Sequence, residues 1–179
     1  MFLATLLGGC AGMPAAQPAA TEQMQAVMDR TLIRELMDAY GVVHDHGTPE
    51  EYADLFADDG EIVTGGPAPM KGREALMAQA RRDHERYAVE KGADGKATSI
   101  MRHLISNAQV TITGKDTATG TCYVTTVVKK GAVGPAILSI SRYNDTYTKR
   151  DGRWRIQRRQ IALEFGNSEL ARDMGFTSR

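Results

Sequence analysis

The sequence predicts an α+β fold in which three helices precede a curved antiparallel sheet. Apolar residues recur at helical spacing in the first half of the chain, and long β-rich segments separated by turn residues fill the second half. Because each amphipathic helix needs a surface on which to bury its apolar side, we expect the helices to cover one face of a strongly bent sheet. Such a sheet forms an open cone with an internal pocket. The 179 residues are enough for one such domain.

The first 20 residues are interpreted as a leader and a tether outside the folded domain. A short apolar run leads into Leu7-Gly8-Gly9-Cys10, which resembles a bacterial lipoprotein signal, although no Lys or Arg precedes the run. Such signals are removed and their cysteine is lipidated; the alternative is an ordinary N-terminus. The Ala- and Pro-rich residues 11–20 are typical of a flexible tether. We expect a folded domain over residues 21–179, anchored at Cys10 in the bacterial periplasm or, alternatively, located in the cytoplasm.

The first predicted helix is amphipathic and ends within residues 44–47. Its apolar residues recur at spacings of three and four, which places them on one side of a helix. We expect that side to be buried as one stripe. Its members are Met24, Val27, Met28, Leu32, Ile33, Leu36, Met37, Tyr40 and Val43.

A second, short helix is predicted directly after the first. Thr48 can cap it, Pro49 suits its first position and Glu51 completes a capping box. The turn residues 58–60 should end this helix. Its inward residues are expected to be Tyr52, Leu55 and Phe56.

A short strand over residues 61–64 and a third helix over residues 71–91 are predicted next. A turn at residues 92–96 follows the third helix. The residues of this helix available for packing are Leu76, Met77, Ala80 and Tyr87.

Four long strands are predicted in the second half of the chain. Gly114-Lys115-Asp116 and Asp151-Gly152 are good hairpin turns, so consecutive strands should be antiparallel neighbours. The strands are expected over residues 100–113, 117–130, 136–149 and 153–165.

The charge balance argues against a nucleic-acid partner. Lys and Arg together number 22, as do Asp and Glu, so the formal net charge is +0. The charges are segregated, because residues 22–61 are strongly acidic whereas residues 142–159 are basic. We interpret these segments as two solvated faces of opposite sign.

The two cysteines, Cys10 and Cys122, cannot build a disulfide framework, so stability must come from packing. Cys122 has no His or basic residue nearby in sequence, and we expect a buried, inert thiol. No apolar run reaches the ~18 residues of a membrane span.

Five segments of the chain together carry a family resemblance. They are residues 36–45, 51–60, 72–76, 102–107 and 142–156. As an ensemble they resemble the SnoaL-like family of the nuclear transport factor two-like superfamily, over about residues 24–165. The resemblance implies a cone-shaped, cystatin-like α+β barrel. It also implies a homodimer or homotrimer packed through sheet faces.

The resemblance further implies a candidate active site. In the scytalone dehydratase, bile-acid dehydratase and hexachlorocyclohexane dehydrochlorinase branches, the pocket carries an Asp at the end of the first helix and a His on the strand after the third helix. Asp45 and His103 occupy these places. Tyr40 stands where bile-acid dehydratases have a Tyr, five residues before the Asp.

These three side chains suit an elimination next to a carbonyl group. A neutral imidazole is the base whose ordinary pKa lies closest to working pH, which makes His103 the expected general base. Asp45 would set the tautomer of His103 and offset the charge that His103 gains. The phenol of Tyr40 would donate a hydrogen bond to the carbonyl oxygen or to the departing oxygen.

Each of these residues also has a structural interpretation. Asp45 could simply end the helix, although a carboxylate there opposes the helix dipole. His103 could be a hydrogen-bonded core residue, and Tyr40 could belong to the apolar stripe of the first helix. Alternate residues among 142–144 could enter the cone and hold a polar group of a substrate, or could form a surface ladder.

No metal site is expected at His44-Asp45-His46, because adjacent helix residues point to different sides and should not converge on one ion. No cofactor is expected either.

The predicted function is a cofactor-free lyase or isomerase. Its substrate would be a medium-sized apolar carbonyl compound, such as a steroid, a polyketide or a terpenoid-like molecule. The alternative is a non-catalytic lipoprotein that binds a small molecule in the same cone. The residues that line a pocket encode a volume and do not identify the substrate.

Overall fold

Helices occupy the first half of the chain and long strands the second, as the sequence predicts. The computed structural model describes residues 18–87, 90–91, 97–129 and 134–176. The helices are α1 (Pro18–His46), α2 (Pro49–Asp54), α3 (Arg73–Tyr87) and α4 (Ser168–Asp173). Helix α2 begins with the predicted capping box of Thr48 and Glu51. Helix α4 was not predicted from the sequence.

Six strands form the main sheet, in the order β2-β1-β8-β7-β6-β5, and β3 pairs only with β4. The strands are β1 (Phe56–Val63), β2 (Met70–Lys71), β3 (Glu90–Lys91), β4 (Ala97–Thr98), β5 (Met101–Gly114), β6 (Thr117–Lys129), β7 (Pro135–Arg150) and β8 (Arg153–Gly166). The four long strands are consecutive antiparallel neighbours, as predicted. At the turn from β7 to β8, Asp151 and Gly152 adopt φ values of 51° and 75°, which a tight hairpin turn requires.

The sheet is curved and unclosed, which confirms the predicted fold class. Register shifts interrupt the β5–β6, β6–β7 and β7–β8 ladders, and such bulges bend a strand and increase its twist. Helix α1 packs along β5 on the inner face, and α3 packs on α2 and β1. The pocket therefore lies between the inner face of the sheet and the helices.

The second helix is shorter than predicted, and the prediction that Leu55 and Phe56 belong to it was wrong. Helix α2 ends at Asp54, and Phe56 begins β1, which runs parallel to β8. The backbone N–H of Ile156 donates to the carbonyl oxygen of Leu55 at 2.9 Å, so the edge of β8 pairs with this segment. Residues 58–60 therefore lie within β1 and do not form a turn.

The apolar stripe of α1 is buried only in its second half. Ile33, Met37 and Tyr40 are buried. In the first half the buried position is taken by Asp29, whose Oδ1 accepts hydrogen bonds from Lys149 Nζ and Trp154 Nε1, each at 2.8 Å. The apolar residues beside Asp29 on the surface of the helix are exposed; they are Met24, Val27, Met28 and Leu32.

The face of the sheet that points away from the helices carries exposed apolar side chains. The strand registers place Leu104, Tyr123, Ile137 and Phe165 on this face. Assembly into a homodimer or homotrimer through sheet faces stays a prediction.

The remaining predictions concern the end of the third helix, the N-terminal segment, the turn after the third helix and membrane spans. The third helix ends at Tyr87, and residues 90–91 form β3, so the predicted end at residue 91 was wrong. The lipidated Cys10, the removal of residues 1–9 and the turn at residues 92–96 lie outside the described residues. Within the described part of the chain, no helix is long and apolar enough to cross a membrane.

Candidate active site

The last turn of α1 and the start of β5 bring Asp45 and His103 together. Asp45 Oδ1 lies 2.7 Å from His103 Nδ1, and Asp45 Oδ2 accepts a hydrogen bond from the backbone N–H of His103 at 2.8 Å. Because both carboxylate oxygens contact one residue, the carboxylate and the imidazole have a fixed relative orientation. The two side chains are 5% and 9% exposed, respectively. We call this pair the dyad.

A glycine allows α1 to approach β5 closely enough to form the dyad. A Cβ atom added to Gly41 would stand 2.7 Å from the carbonyl oxygen of His103, well inside van der Waals contact. Any side chain at this position would therefore move α1 away from β5, and Asp45 with it.

We expect Gly41→Ala to reduce stability. The overpacked contact with the His103 carbonyl should cost about 1–3 kcal/mol of the free energy of unfolding, against the modest gain that alanine normally brings to a helix. Denaturant unfolding is the measurement. Gly65→Ala, at a position with nothing within 4 Å of the added Cβ, is the control. An unfolding free energy equal to or above that of the parent protein would contradict this account.

His103 of the dyad lies on the wall of a cavity of about 290 Å³, whereas Asp45 contacts His103 and is not itself a lining residue. Apolar side chains of the sheet and of the β1–α3 region contribute to the wall, including Ile62, Met70, Leu138 and Ile161. Polar groups also line the cavity, and they include Tyr40, Tyr52, Asp83, Thr126, Ser139 and Tyr143. The pocket is therefore suited to a ligand with several polar groups on an apolar frame.

Tyr40 lines this cavity and also belongs to the core. Its ring is 2% exposed, and its hydroxyl lies 3.2 Å from the hydroxyl of Tyr52. Of residues 142–144, Tyr143 enters the cavity, whereas Arg142 forms a surface ion pair with Glu164. One residue of this strand thus enters the cone, and another lies on the surface.

His44 is a site residue that sequence reasoning did not assign. Its ring centroid lies 4.3 Å from that of His103, and its Nδ1 lies 3.8 Å from Asp45 Oδ1. Its Nε2 lies 3.3 Å from Asp83 Oδ2, on α3. The contacts with His103 and Asp83 form only when α1 packs against β5 and α3, so no local sequence signal could have identified them.

The expectation that His44 and Asp45 diverge was wrong. Their donor atoms and that of His103 all lie within 4.8 Å of one another, because the long imidazole of His44 reaches back toward the carboxylate. The third residue of the motif, His46, is exposed. The three donor atoms are close enough to surround a metal ion, and those of Asp45 and His103 are within hydrogen-bonding distance of each other.

The surroundings of the dyad favour an ionised Asp45 and a neutral His103. Burial acts to raise the pKa of Asp45, but hydrogen bonds from His103 and His44 outweigh it and hold that pKa below its usual range. Burial is also the largest influence on His103; it lowers the pKa, and the neighbouring His44 lowers it further against the opposing effect of Asp45. A neutral imidazole beside an ionised carboxylate is the state that a general base requires.

The pKa of His44 is shifted upward, opposite to that of His103. Burial acts to lower its pKa, but Tyr40, Asp45 and Asp83 outweigh burial and raise the pKa of His44 to about 10. The surroundings thus favour the cationic form of His44 and the neutral form of the adjacent His103.

A buried ion pair lies beneath the tyrosines of the cavity. Arg159 is 1% exposed, and its Nη2 donates to Asp145 Oδ2 at 2.6 Å. The Tyr147 hydroxyl donates to the same oxygen at 2.7 Å. The Arg159 guanidinium lies 4.0 Å from the ring centroid of Tyr40 and 4.7 Å from that of Tyr143. It therefore places a positive charge against two phenol rings of the pocket.

The prediction that Arg159 lies on a solvated basic face was wrong. A regular hairpin that starts at the turn of residues 151–152 would pair Asp145 with Arg158. A register shift between Thr146 and Tyr147 pairs Asp145 with Arg159 instead. The bulge turns Arg158 outward, where it pairs with Glu61, and turns Arg159 into the core. Cys122 is free and buried as predicted, and burial raises the pKa of its thiol to about 11.

The fold and the chemistry of the pocket define a class of protein. A curved, unclosed sheet under N-terminal helices is the architecture of the nuclear transport factor two-like superfamily. The model of the SnoaL-like domain matches residues 25–160, and the chain belongs to this family. A search of curated proteins found no match.

Solved structures show the same fold. An NTF2-like protein with a cystatin-like fold from Novosphingobium aromaticivorans has a TM-score of 0.72 and 29% identity, over 91% of this chain and 98% of that one. A second protein of that organism, provisionally named a scytalone dehydratase, has a TM-score of 0.67 and 21% identity, over 81% and 90%. A hexachlorocyclohexane dehydrochlorinase from Novosphingobium barchaimii has a TM-score of 0.65 and 16% identity, over 81% and 92%. The last two similarities concern the fold alone.

Proposed function

We propose that this protein is a lyase that eliminates a small group next to a carbonyl, with the dyad as its base and no cofactor. The observation that carries the proposal is the 2.7 Å contact between Asp45 Oδ1 and Nδ1 of His103, a residue that lines the cavity. The provisional scytalone dehydratase and the dehydrochlorinase with this fold are consistent with elimination chemistry. Isomerisation begins with the same proton abstraction and is the second reaction that the dyad supports.

The dyad would act through the two nitrogens of His103. With Nδ1–H donating to Asp45, the lone pair on Nε2 is available to take the proton from the carbon next to the carbonyl. His103 then becomes a cation in a site of low dielectric, where the adjacent carboxylate of Asp45 stabilises it. Asp45 thereby lowers the free energy of the transition state as well as setting the tautomer.

The tyrosines would stabilise the charge that develops on the substrate oxygen. Tyr40 and Tyr143 line the cavity and carry hydroxyl donors. The guanidinium of Arg159 lies against both rings, and a nearby positive charge favours negative charge on or beside a phenol. The enolate oxygen of the substrate would bind at this end of the cavity.

The volume of the cavity suits a small substrate. A volume of about 290 Å³ lies near the lower end of the range of ~300–1,000 Å³ that is usual for ligand sites. This favours a compound of one or two rings over a full steroid.

The test is a screen of the purified protein against hydroxylated and halogenated carbonyl compounds. Formation of a conjugated double bond is followed by ultraviolet absorbance, in the parent protein and in His103→Gln. We expect turnover that is lost in the variant. Compounds that bind to both proteins but react with neither would favour the alternative, a small-molecule-binding protein.

The pH dependence of kcat/KM provides a separate prediction. Because the pKa of His103 is lowered from its usual 6.5, the neutral base should already predominate below pH 6.5. We expect kcat/KM to rise with pH at acidic values and to be level by pH 7. A rate that begins to rise only above pH 7 would mean that His103 is protonated at neutral pH, contrary to this proposal.

A further inference from the structure

One carboxylate oxygen lies near two imidazoles that line the cavity. Asp45 Oδ1 lies 2.7 Å from His103 Nδ1 and 3.8 Å from His44 Nδ1. The two rings meet edge to face, with 4.3 Å between their centroids. Both histidines line the same cavity, so both are close to any ligand that occupies it.

The groups around His44 favour its cationic form. Its Nε2 lies 3.3 Å from Asp83 Oδ2, and that carboxylate is 14% exposed. His84 Nε2 lies 3.0 Å from the backbone carbonyl oxygen of His44. The titratable side chains that face the ring from α1, α2, α3 and β5 are Tyr40, Asp45, Tyr52, Asp83 and His103. The carboxylates of Asp45 and Asp83 thus flank the imidazole of His44. Because His103 is the proposed base, His44 is free to carry a proton.

We propose that His44 is the general acid of the reaction and protonates the leaving group while His103 removes the proton from carbon. This inference rests on the proposed function. It also specifies the substrate, because a hydroxide needs a proton to depart whereas a chloride does not. The substrate class is a carbonyl compound with a hydroxyl group on the β-carbon, and the reaction is a dehydration.

The proton balance is complete without a further reactant. His103 takes one proton from the α-carbon, and the electron pair of that bond forms the new double bond. The bond from the β-carbon to oxygen breaks, and the leaving oxygen takes a proton from His44 to form water. His103 ends as the cation and His44 as the neutral imidazole, and exchange with solvent restores both.

The shared carboxylate explains why this arrangement lowers the barrier. The positive charge moves from His44 to His103, and Asp45 lies beside both rings throughout. The net charge of the cluster stays constant, so no new charge is created in a site that water reaches poorly. An isolated base would have to generate its own cation there.

The leaving group provides the test. We compare the β-hydroxy and β-chloro derivatives of benzylacetone, which both give benzylideneacetone, as substrates of the parent protein, His44→Gln and His103→Gln. For His44→Gln we expect kcat to fall by about 10²–10⁴ with the hydroxy compound and by less than about tenfold with the chloro compound. His103→Gln should lose both activities. His46→Gln, at the exposed histidine of the same helix end, is the matched control and should keep both.

The outcomes separate this inference from the proposed function. Equal losses with both compounds, or no loss with either, in His44→Gln would overturn the role of His44 and leave the dyad in place. Retained elimination in His103→Gln, or no elimination of either compound by the parent protein, would overturn the proposed function and this inference with it.

A second measurement does not depend on turnover. Nitrogen chemical shifts of the labelled imidazoles distinguish the cationic from the neutral ring, and the His44→Gln and His103→Gln spectra assign them. At pH 7 we expect His44 to be cationic and His103 to be neutral with its proton on Nδ1. Because a neutral ring has no additional proton to donate, a neutral His44 at this pH would overturn the proposal.

Discussion

Replacing His103 with Gln should reduce kcat by about 10²–10⁴ or more while ligand affinity changes little. The imidazole acts mainly on the transition state, so its loss should leave ground-state binding intact. Kinetics on the compound found in the screen, together with calorimetric binding of an unreactive analogue, measure the two quantities.

Asp45→Asn should also slow the reaction strongly without unfolding the protein. An amide can keep part of the hydrogen bonding to His103, but it cannot balance the charge of the imidazolium. The double variant should be hardly slower than either single variant, because residues that act as a unit fail together. Additive losses, or full activity in His103→Gln, would contradict a dyad mechanism.

Breaking the buried ion pair should have the largest effect on stability. Arg159→Met leaves the Asp145 carboxylate buried without its main partner, and Asp145→Asn leaves the guanidinium uncompensated. Removal of one member of a buried pair typically costs about 3–5 kcal/mol of the free energy of unfolding. Denaturant unfolding of each variant, with unchanged slope, measures the loss.

The exposed pair Arg142–Glu164 offers a matched control on the same two strands. Its side chains are 49% and 25% exposed, so Arg142→Met should change the unfolding free energy by no more than about 1 kcal/mol. In the Arg159→Met, Asp145→Asn double variant, which buries no unpaired charge, the loss should be smaller than the sum of the two single losses. Losses near 1 kcal/mol for both buried single variants would show that the pair is not a main support of the pocket.

The sequence by itself determines the order and the type of most elements. The four long strands lie within two residues of their predicted bounds, and the capping box at Thr48 and Glu51 starts α2 as expected. These features depend on residues close together in the chain, through side-chain periodicity, caps and turn residues. The family motifs also led to Asp45 and His103, which the structure places in contact.

Only the tertiary structure decided the features that depend on contacts between distant segments. A bulge in the β7–β8 ladder buries Arg159 and exposes Arg158, and no local pattern marks that bulge. The parallel pairing of β1 with β8 converted a predicted helix end into a strand. The two carboxylates around His44 come from α1 and α3, so its environment exists only once those helices have packed. The local sequence specifies which side chains are available, whereas tertiary packing determines which of them are buried and which lie next to a charged group.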